Sequence, residues 1–118
     1  MNSLQDLPVL ILAYNRYEKF YNCINTLKKQ GIKKIFLSID GPKNIRDKKI
    51  QEKIYNYCKN NKSDLEIKIN QFKNNYGCRL GPRKGISWFF LHNSYMGIFP
   101  LDPYPLNLYD LHKHNFLI

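Results

Sequence analysis

The chain has 118 residues and a formal net charge of +10, and 43% of its residues are hydrophobic and 14% aromatic. This length predicts one compact domain, because a second core would have too little chain to bury its surface. The hydrophobic and aromatic fractions exclude a disordered polybasic chain, which lacks the apolar surface needed to offset its ordering entropy.

The positive charge lies almost entirely before Leu91. Beyond that residue Lys113 is the only lysine or arginine, and it is outnumbered by Asp102 and Asp110. The same stretch is rich in proline and aromatic residues. Composition therefore divides the chain into a domain over residues 1–93 and an atypical tail over residues 94–118.

Short apolar runs alternate with helical patterns along residues 1–93. The runs at 8–13 and 33–39 are continuously apolar, which is typical of strands buried on both faces. A third strand is predicted at 65–69. Helices are predicted after the first strand, with Asn15 as a candidate cap and Gly31 as the stop, and over 47–59 and 82–93.

Alternating strands and helices predict an α/β fold built from βαβ units, with three to four mostly parallel strands. In such open sheets the ligand crevice lies beyond the carboxyl ends of the strands. The loops at that edge are predicted to be residues 14–16, 40–44 and 72–79. We therefore expect the chemistry of the protein to reside there.

Two of these loops carry residues suited to a nucleotide. Asp40 could accept hydrogen bonds from a nucleobase imide or a ribose hydroxyl, and Gly41 would allow close backbone approach. The alternative is a turn residue that binds nothing. The glycine-containing stretch 75–85, with Arg79 near the start of the predicted helix, suits a diphosphate. The alternative there is turn glycines beside a solvated basic face.

Other residue types carry less information about function. The spacing of the three cysteines matches no disulfide framework or metal pair, which favours reduced, half-buried side chains. The aromatic triplet 88–90 is more typical of core packing than of a stacking platform. With no signal peptide and no membrane span, the predicted location is the cytoplasm, with association at the inner face of the membrane left open.

Three motifs in order resemble a known family. They are PVLILAYNR, LSIDGPKN and NNYGCRLGPRKGISWFF. Together they resemble the N-terminal portion of bacterial glycosyltransferases of the GT-A, family-2-like, nucleotide-diphospho-sugar transferase type, over residues 8–90. The resemblance implies a partial GT-A, Rossmann-like sheet. It also implies transfer of a sugar from a nucleoside diphosphate sugar to a glycan or lipid-linked acceptor.

The resemblance also assigns roles to residues at the three motifs. The loop after the first strand would line the floor of the nucleotide pocket with Ala13, Tyr14, Asn15 and Arg16. Asp40 matches the carboxylate that holds the base or ribose. The residues implied to flank the donor are Asn75, Gly77 and Gly85. Arg79 is a candidate phosphate contact on chemical grounds.

The pattern departs from the family at the composition break. The family continues with an acidic Glu-Asp-Asp-type cluster that binds magnesium or manganese, but here only Asp102 remains at that place. One carboxylate is a poor site for a cation that must neutralise a leaving diphosphate. The region of the catalytic base is not present either, so no catalytic residue can be named. We therefore expect a fragment without transferase activity, whose tail is out of register with the family, as after a frameshift.

The alternative function is a small basic nucleic-acid-binding module, which the charge and the interleaved tyrosines favour. No zinc-finger, helix-turn-helix or RNP1-like pattern accompanies them, and the lysines are scattered along the predicted helices. We therefore expect a sugar nucleotide, and no nucleic acid, as the partner.

Overall fold

A computed structural model describes residues 7–61, 65–93 and 116–117, the last two by their backbone alone. Strands and helices alternate along the chain, which confirms the predicted α/β class. The strands are β1 (Val9–Ala13), β2 (Lys34–Ile39), β3 (Glu66–Gln71) and β4 (Phe116–Leu117). The helices are α1 (Tyr17–Lys29), α2 (Ile45–Lys59) and α3 (Gly77–Asn93).

All the described strand pairs are parallel, in the order β3-β2-β1-β4. Leu10 of β1 lies beside Phe36 of β2, which lies beside Lys68 of β3. The carboxyl ends of β1 and β2 therefore meet at one edge of the sheet, as the alternating pattern predicted. Residues 94–115, which include most of the atypical tail, lie outside the described part of the chain.

The two central strands are buried on both faces because helices cover both sides of the sheet. Ile11 and Leu37 face the core shared with α1 and α2. Leu10 and Phe36 face α3. This two-sided burial explains why both strands read as continuous apolar runs rather than as alternating patterns.

The aromatic triplet of α3 packs against the sheet, as predicted. Phe36 makes edge contacts with Trp88 and Phe89, at centroid distances of 5.4 and 5.3 Å. Phe89 is buried, and Phe90 packs against the same cluster. These rings hold α3 on the sheet.

Helix α1 ends where the sequence predicted. Gly31 has a φ of +81°, a conformation that favours glycine. Its N–H donates to the Lys28 carbonyl, and the Ile32 N–H donates to the Leu27 carbonyl. These two bonds form a Schellman motif that satisfies the last carbonyls of the helix.

The predicted cap of α1 and the predicted start of α3 were wrong, and the start of α2 was predicted two residues late. Helix α1 has Arg16 rather than Asn15 at its N-cap position, because the Asn15 side chain donates to Asp47 instead. Helix α2 begins two residues before Asp47, since Asn44 accepts the Asp47 N–H at 2.8 Å as its cap. Helix α3 begins at Gly77 rather than at Pro82, which lies inside the helix.

Candidate functional site

A cleft of about 600 Å³ opens at the carboxyl ends of β1 and β2, between the first turns of α1 and α3. The ends of the strands contribute its floor, and the helices contribute its two walls. Lys19 and Phe20 belong to the α1 wall, and Gly81 and Pro82 to the α3 wall. The cleft lies where an open parallel sheet binds ligands.

Most of the predicted site residues lie together along this cleft. Those that line it are Ala13, Tyr14, Asn15, Arg16, Asp40, Asn75 and Gly77. Arg79 is exposed in the first turn of α3 and does not line the cleft. Gly85 lies further along the same helix, against the sheet. Asp102, the predicted metal ligand, lies outside the described residues.

The Asp40 carboxylate is surrounded by donors of its own chain. Its Oδ1 accepts the N–H groups of Gly41 at 2.9 Å and Tyr76 at 2.8 Å. Its Oδ2 accepts the Gly77 N–H at 3.0 Å and the Asn75 side-chain amide at 3.4 Å. Because a carboxylate offers about four lone-pair positions, the protein uses all of them.

Asp40 therefore caps helix α3 from a different part of the chain. An ionised carboxylate at a helix N-terminus satisfies orphan N–H groups and interacts favourably with the helix dipole. The amides of Tyr76 and Gly77, at the actual start of α3, are thus already occupied. Contact of Asp40 with a nucleotide stays a prediction.

A second carboxylate, Asp47 of α2, holds the loop after β1. Its oxygens accept the Tyr14 hydroxyl and, at 3.0 Å, the Asn15 side-chain amide. The backbone N–H of Lys43 donates to the same carboxylate at 3.1 Å. One buried side chain thus connects the loops that follow β1 and β2.

These contacts change the titration of both groups. Burial, the hydrogen bond to Asp47 and the charges of Asp47 and Asp40 raise the pKa of Tyr14 to about 12. The hydrogen bonds from Tyr14 and Asn15 hold the pKa of Asp47 below its usual value. Ionised Asp47 therefore stabilises the fold fully above its ordinary pKa of 3.8, and this stabilisation is lost as the pH falls through the lowered value.

Gln51, one turn after Asp47, ties together the ends of three strands. Its amide nitrogen donates to the Tyr14 carbonyl at 2.9 Å and to the Asp40 carbonyl at 2.8 Å. Its oxygen accepts the Gln71 amide at 3.1 Å, at the end of β3. Gln51 is buried, and the bonds satisfy both ends of its side chain.

Sequence reasoning missed Asp47 and Gln51. The signal was their position, since Asp47, Ile50, Gln51 and Ile54 follow the spacing of a buried helical stripe. A polar side chain in such a stripe must find partners inside the fold. Here those partners are the loops around the cleft.

Gly85 allows helix α3 to pack closely against the sheet. A Cβ on this residue would lie 2.7 Å from the Ser38 hydroxyl and 2.8 Å from Leu12 Cδ2. Ser38 is buried in the central strand β2 and cannot move aside easily. The absence of a side chain at Gly85 therefore sets how closely α3 approaches the sheet.

Replacing Gly85 with alanine is expected to destabilise the protein by about 2 kcal/mol, because overpacking forces the helix or the strand to shift. Urea unfolding followed by circular dichroism measures this loss. The control is Ser87→Ala, an exposed position of the same helix, where a change within about 0.5 kcal/mol is expected. Equal stability of the two variants would contradict the close packing.

The charges around the cleft favour an anionic ligand. Arg16, Lys19 and Lys43 line it with exposed basic side chains. Asp40 is the only carboxylate among the described residues that line the cleft, and its oxygens are taken by backbone and amide donors. A phosphate-bearing ligand would therefore meet positive charge there.

The resemblance implies a magnesium or manganese ion, and we searched the described residues for a cluster of ligands. Within residues 7–61 and 65–93, no group of three or more His, Cys, Asp or Glu side chains could hold a metal. Asp40 and Asp47 both accept hydrogen bonds from the protein. A cation site stays a prediction that rests on Asp102.

The three cysteines are free. Cys23 and Cys58 are half-buried, as predicted, but Cys78 is exposed in the first turn of α3. Burial raises the pKa of Cys58 to about 11 and also raises the pKa of Cys23, which lines the cleft. Both thiols are therefore protonated at neutral pH, and a protonated thiol is a poor nucleophile. Cys23 contributes to the wall of the cleft by packing.

No family model matches the chain, and comparisons with curated proteins and with solved structures find no match either. Within the described part of the chain, no helix has the length and apolar character needed to cross a membrane. The functional interpretation therefore rests on the geometry of the cleft and on the resemblance of the three motifs.

Proposed function

We propose that this is a glycosyltransferase-like protein whose cleft binds a nucleoside diphosphate sugar, the donor from which enzymes of that type transfer a sugar to a glycan or lipid-linked acceptor. The observation that carries the proposal is one basic cleft at the carboxyl ends of β1 and β2, lined by seven of the site residues that the sequence predicted. Its volume of about 600 Å³ suits a ligand of that size.

Different parts of the ligand would lie against different walls of the cleft. The diphosphate would lie against Arg16, Lys19 and Lys43, because the amides at the start of α3 are occupied by Asp40. Guanidinium and ammonium groups form charge-assisted hydrogen bonds with phosphate oxygens. The nucleoside would occupy the floor formed by Ala13, Tyr14 and Asn15, close to Asn75.

We give the described residues no role in holding a divalent cation, because the Asp40 and Asp47 carboxylates accept hydrogen bonds from the protein. The family resemblance nevertheless associates magnesium or manganese with the diphosphate. Binding is therefore best measured with and without manganese, so that a contribution of the cation is separated from that of the basic side chains.

The chain is expected to bind UDP or GDP, and Lys19→Glu is expected to weaken that binding tenfold or more. A tenfold loss corresponds to about 1.4 kcal/mol, which is reasonable for reversing one charge beside a diphosphate. Isothermal titration calorimetry of the full chain with UDP, GDP and their sugars measures the affinity.

Two variants with the same change of charge serve as comparisons. Lys49→Glu alters an exposed side chain of α2 that does not line the cleft, so affinity should stay within twofold. Arg79→Glu should also stay within twofold if the phosphates lie against the α1 wall. A larger loss with Arg79→Glu than with Lys19→Glu would place the diphosphate at the start of α3 instead.

A groove between α1 and α2 favours the alternative function, a basic nucleic-acid-binding module. Its lining combines Tyr17 and Tyr57 with Lys28 and Lys53 and has a volume of about 530 Å³. Both lysines already lie over the tyrosine rings, however, with Lys53 Nζ 4.2 Å from the Tyr17 centroid. Strong, salt-steep binding to single-stranded DNA or RNA, without any response to UDP or GDP, would favour this alternative.

A further inference from the structure

We propose that Asp47 and Gln51 are positioning residues of the nucleotide cleft, an inference that rests on the proposed function. Neither side chain lines the cleft. They act through the loops that do, since Asp47 binds the Tyr14 and Asn15 side chains and Gln51 binds the Tyr14 and Asp40 carbonyls.

The two residues act from one face of α2. They are four positions apart, so both side chains project toward the carboxyl edge of the sheet from successive turns. Asp47 holds the side chains of the loop after β1, and Gln51 holds the backbone of the same loop. Together they restrict both the direction of the Tyr14 ring and the path of the chain beneath the nucleoside.

Gln51 also couples that loop to the Asp40 cap. Its amide nitrogen lies between the Tyr14 and Asp40 carbonyls and donates to both. The Asp40 side chain in turn holds the start of α3 through Tyr76 and Gly77. The floor of the cleft and its α3 wall therefore share one hydrogen-bond network.

A helix-stabilising role and a positioning role for Asp47 predict different effects of substitution. Asn44 caps the same helix by accepting the Asp47 N–H, so a purely helix-stabilising role would make Asp47 and Asn44 equivalent. A positioning role makes them different, because the Asn44 side chain has no hydrogen bond to the loop after β1 among the contacts described. The pair Asp47→Asn and Asn44→Ala separates the two roles.

The first readout is ligand affinity compared with stability. Asp47→Asn is expected to weaken UDP or GDP binding three- to tenfold, because an amide cannot accept from Tyr14, Asn15 and the Lys43 N–H together. Asn44→Ala is expected to lower the Tm by a few degrees and to leave affinity within twofold. Gln51→Met, which leaves the Tyr14 and Asp40 carbonyls without their donor, should weaken binding as Asp47→Asn does.

The second readout needs no ligand. The Tyr14 hydroxyl donates to Asp47, and its pKa also depends on the charge of Asp40 and on the Lys43 N–H. In the wild-type chain its pKa is raised to about 12, and in Asp47→Asn it should move toward its ordinary value of 10. Nuclear magnetic resonance of ¹³Cζ-labelled tyrosine, with Tyr14→Phe to assign the signal, follows this titration.

The outcomes separate this inference from the proposed function. If the wild-type chain binds UDP or GDP and Asp47→Asn binds equally well, the inference is overturned and the proposed function survives. If Asn44→Ala weakens binding as much as Asp47→Asn, the effect belongs to helix stability and the inference is again overturned. A wild-type chain that binds no nucleoside diphosphate would overturn both.

Discussion

Replacing Gly41 with alanine is expected to destabilise the protein by about 3 kcal/mol, which would lower the Tm by more than about 10 °C. A Cβ on Gly41 would lie 2.3 Å from both the carbonyl carbon and the oxygen of Asn74, and 2.8 Å from the Lys73 carbonyl oxygen. These are backbone atoms, so no side chain can rotate away. The loop after β2 and the loop before α3 would have to separate.

Gly77→Ala is the matched comparison, because Gly77 is needed for its backbone conformation and not for a close approach of another segment. Gly77 has a φ of +86° and open space around its Cβ position. Alanine in that conformation costs about 1 to 2 kcal/mol without any clash. In thermal and urea unfolding, Gly41→Ala should therefore be less stable than Gly77→Ala. A Gly41→Ala variant as stable as the wild type would rule out the close backbone approach.

The elements that the sequence predicted well are those whose signal is local. Strand β2 was recognisable because it is apolar on both faces and ends at an Asp-Gly-Pro turn. The end of α1 was recognisable because Gly31 alone supplies the left-handed conformation that its Schellman motif requires. Neither inference needs knowledge of a distant part of the chain.

The starts of α1 and α3 could not be predicted, since their partners are distant in sequence. The cap of α2 is local, because Asn44 accepts the Asp47 N–H three residues later. Helix α3 begins at Gly77 because a carboxylate that lies 37 residues earlier, Asp40, accepts its first N–H groups. Asn15 was expected to cap α1, but its side-chain amide instead donates to Asp47, which lies 32 residues later. Local capping patterns have no access to such contacts.

The location of the candidate site could be predicted from the sequence, but many of the contacts within it could not. The rule that ligands bind at the carboxyl ends of parallel strands directed attention to Tyr14, Asp40 and Asn75, which do line one cleft. The same rule says nothing about residues that hold those loops from behind. Gly41 was expected to admit a ligand, yet its free space is filled by the backbone of Lys73 and Asn74.

Replacing Asp40 with alanine is expected to destabilise the protein by about 3 kcal/mol in the absence of any ligand. The change removes the side-chain acceptor of the N–H groups of Gly41, Tyr76 and Gly77. The Asn75 amide loses its 3.4 Å bond to Asp40 and keeps its 2.8 Å bond to the Gly41 carbonyl. Hydrogen bonds to a charged group are worth more than neutral ones, and buried donors left without a partner add a penalty. The first turn of α3 should fray, and the α3 wall of the cleft should lose its position.

Asp40→Asn tests whether the charge and the number of acceptors are both needed. Its oxygen can still accept from Gly41 and Tyr76, and the Asn75 amide keeps its bond to the Gly41 carbonyl at 2.8 Å. Only the Gly77 N–H then lacks a partner, so a smaller loss of about 1 kcal/mol is expected. Urea unfolding compares both variants with Glu52→Ala, an exposed carboxylate on α2 whose removal should change stability by no more than about 0.5 kcal/mol. If Asp40→Ala were as stable as Glu52→Ala, Asp40 would not be the cap of α3, and its carboxylate would be available to a nucleotide instead.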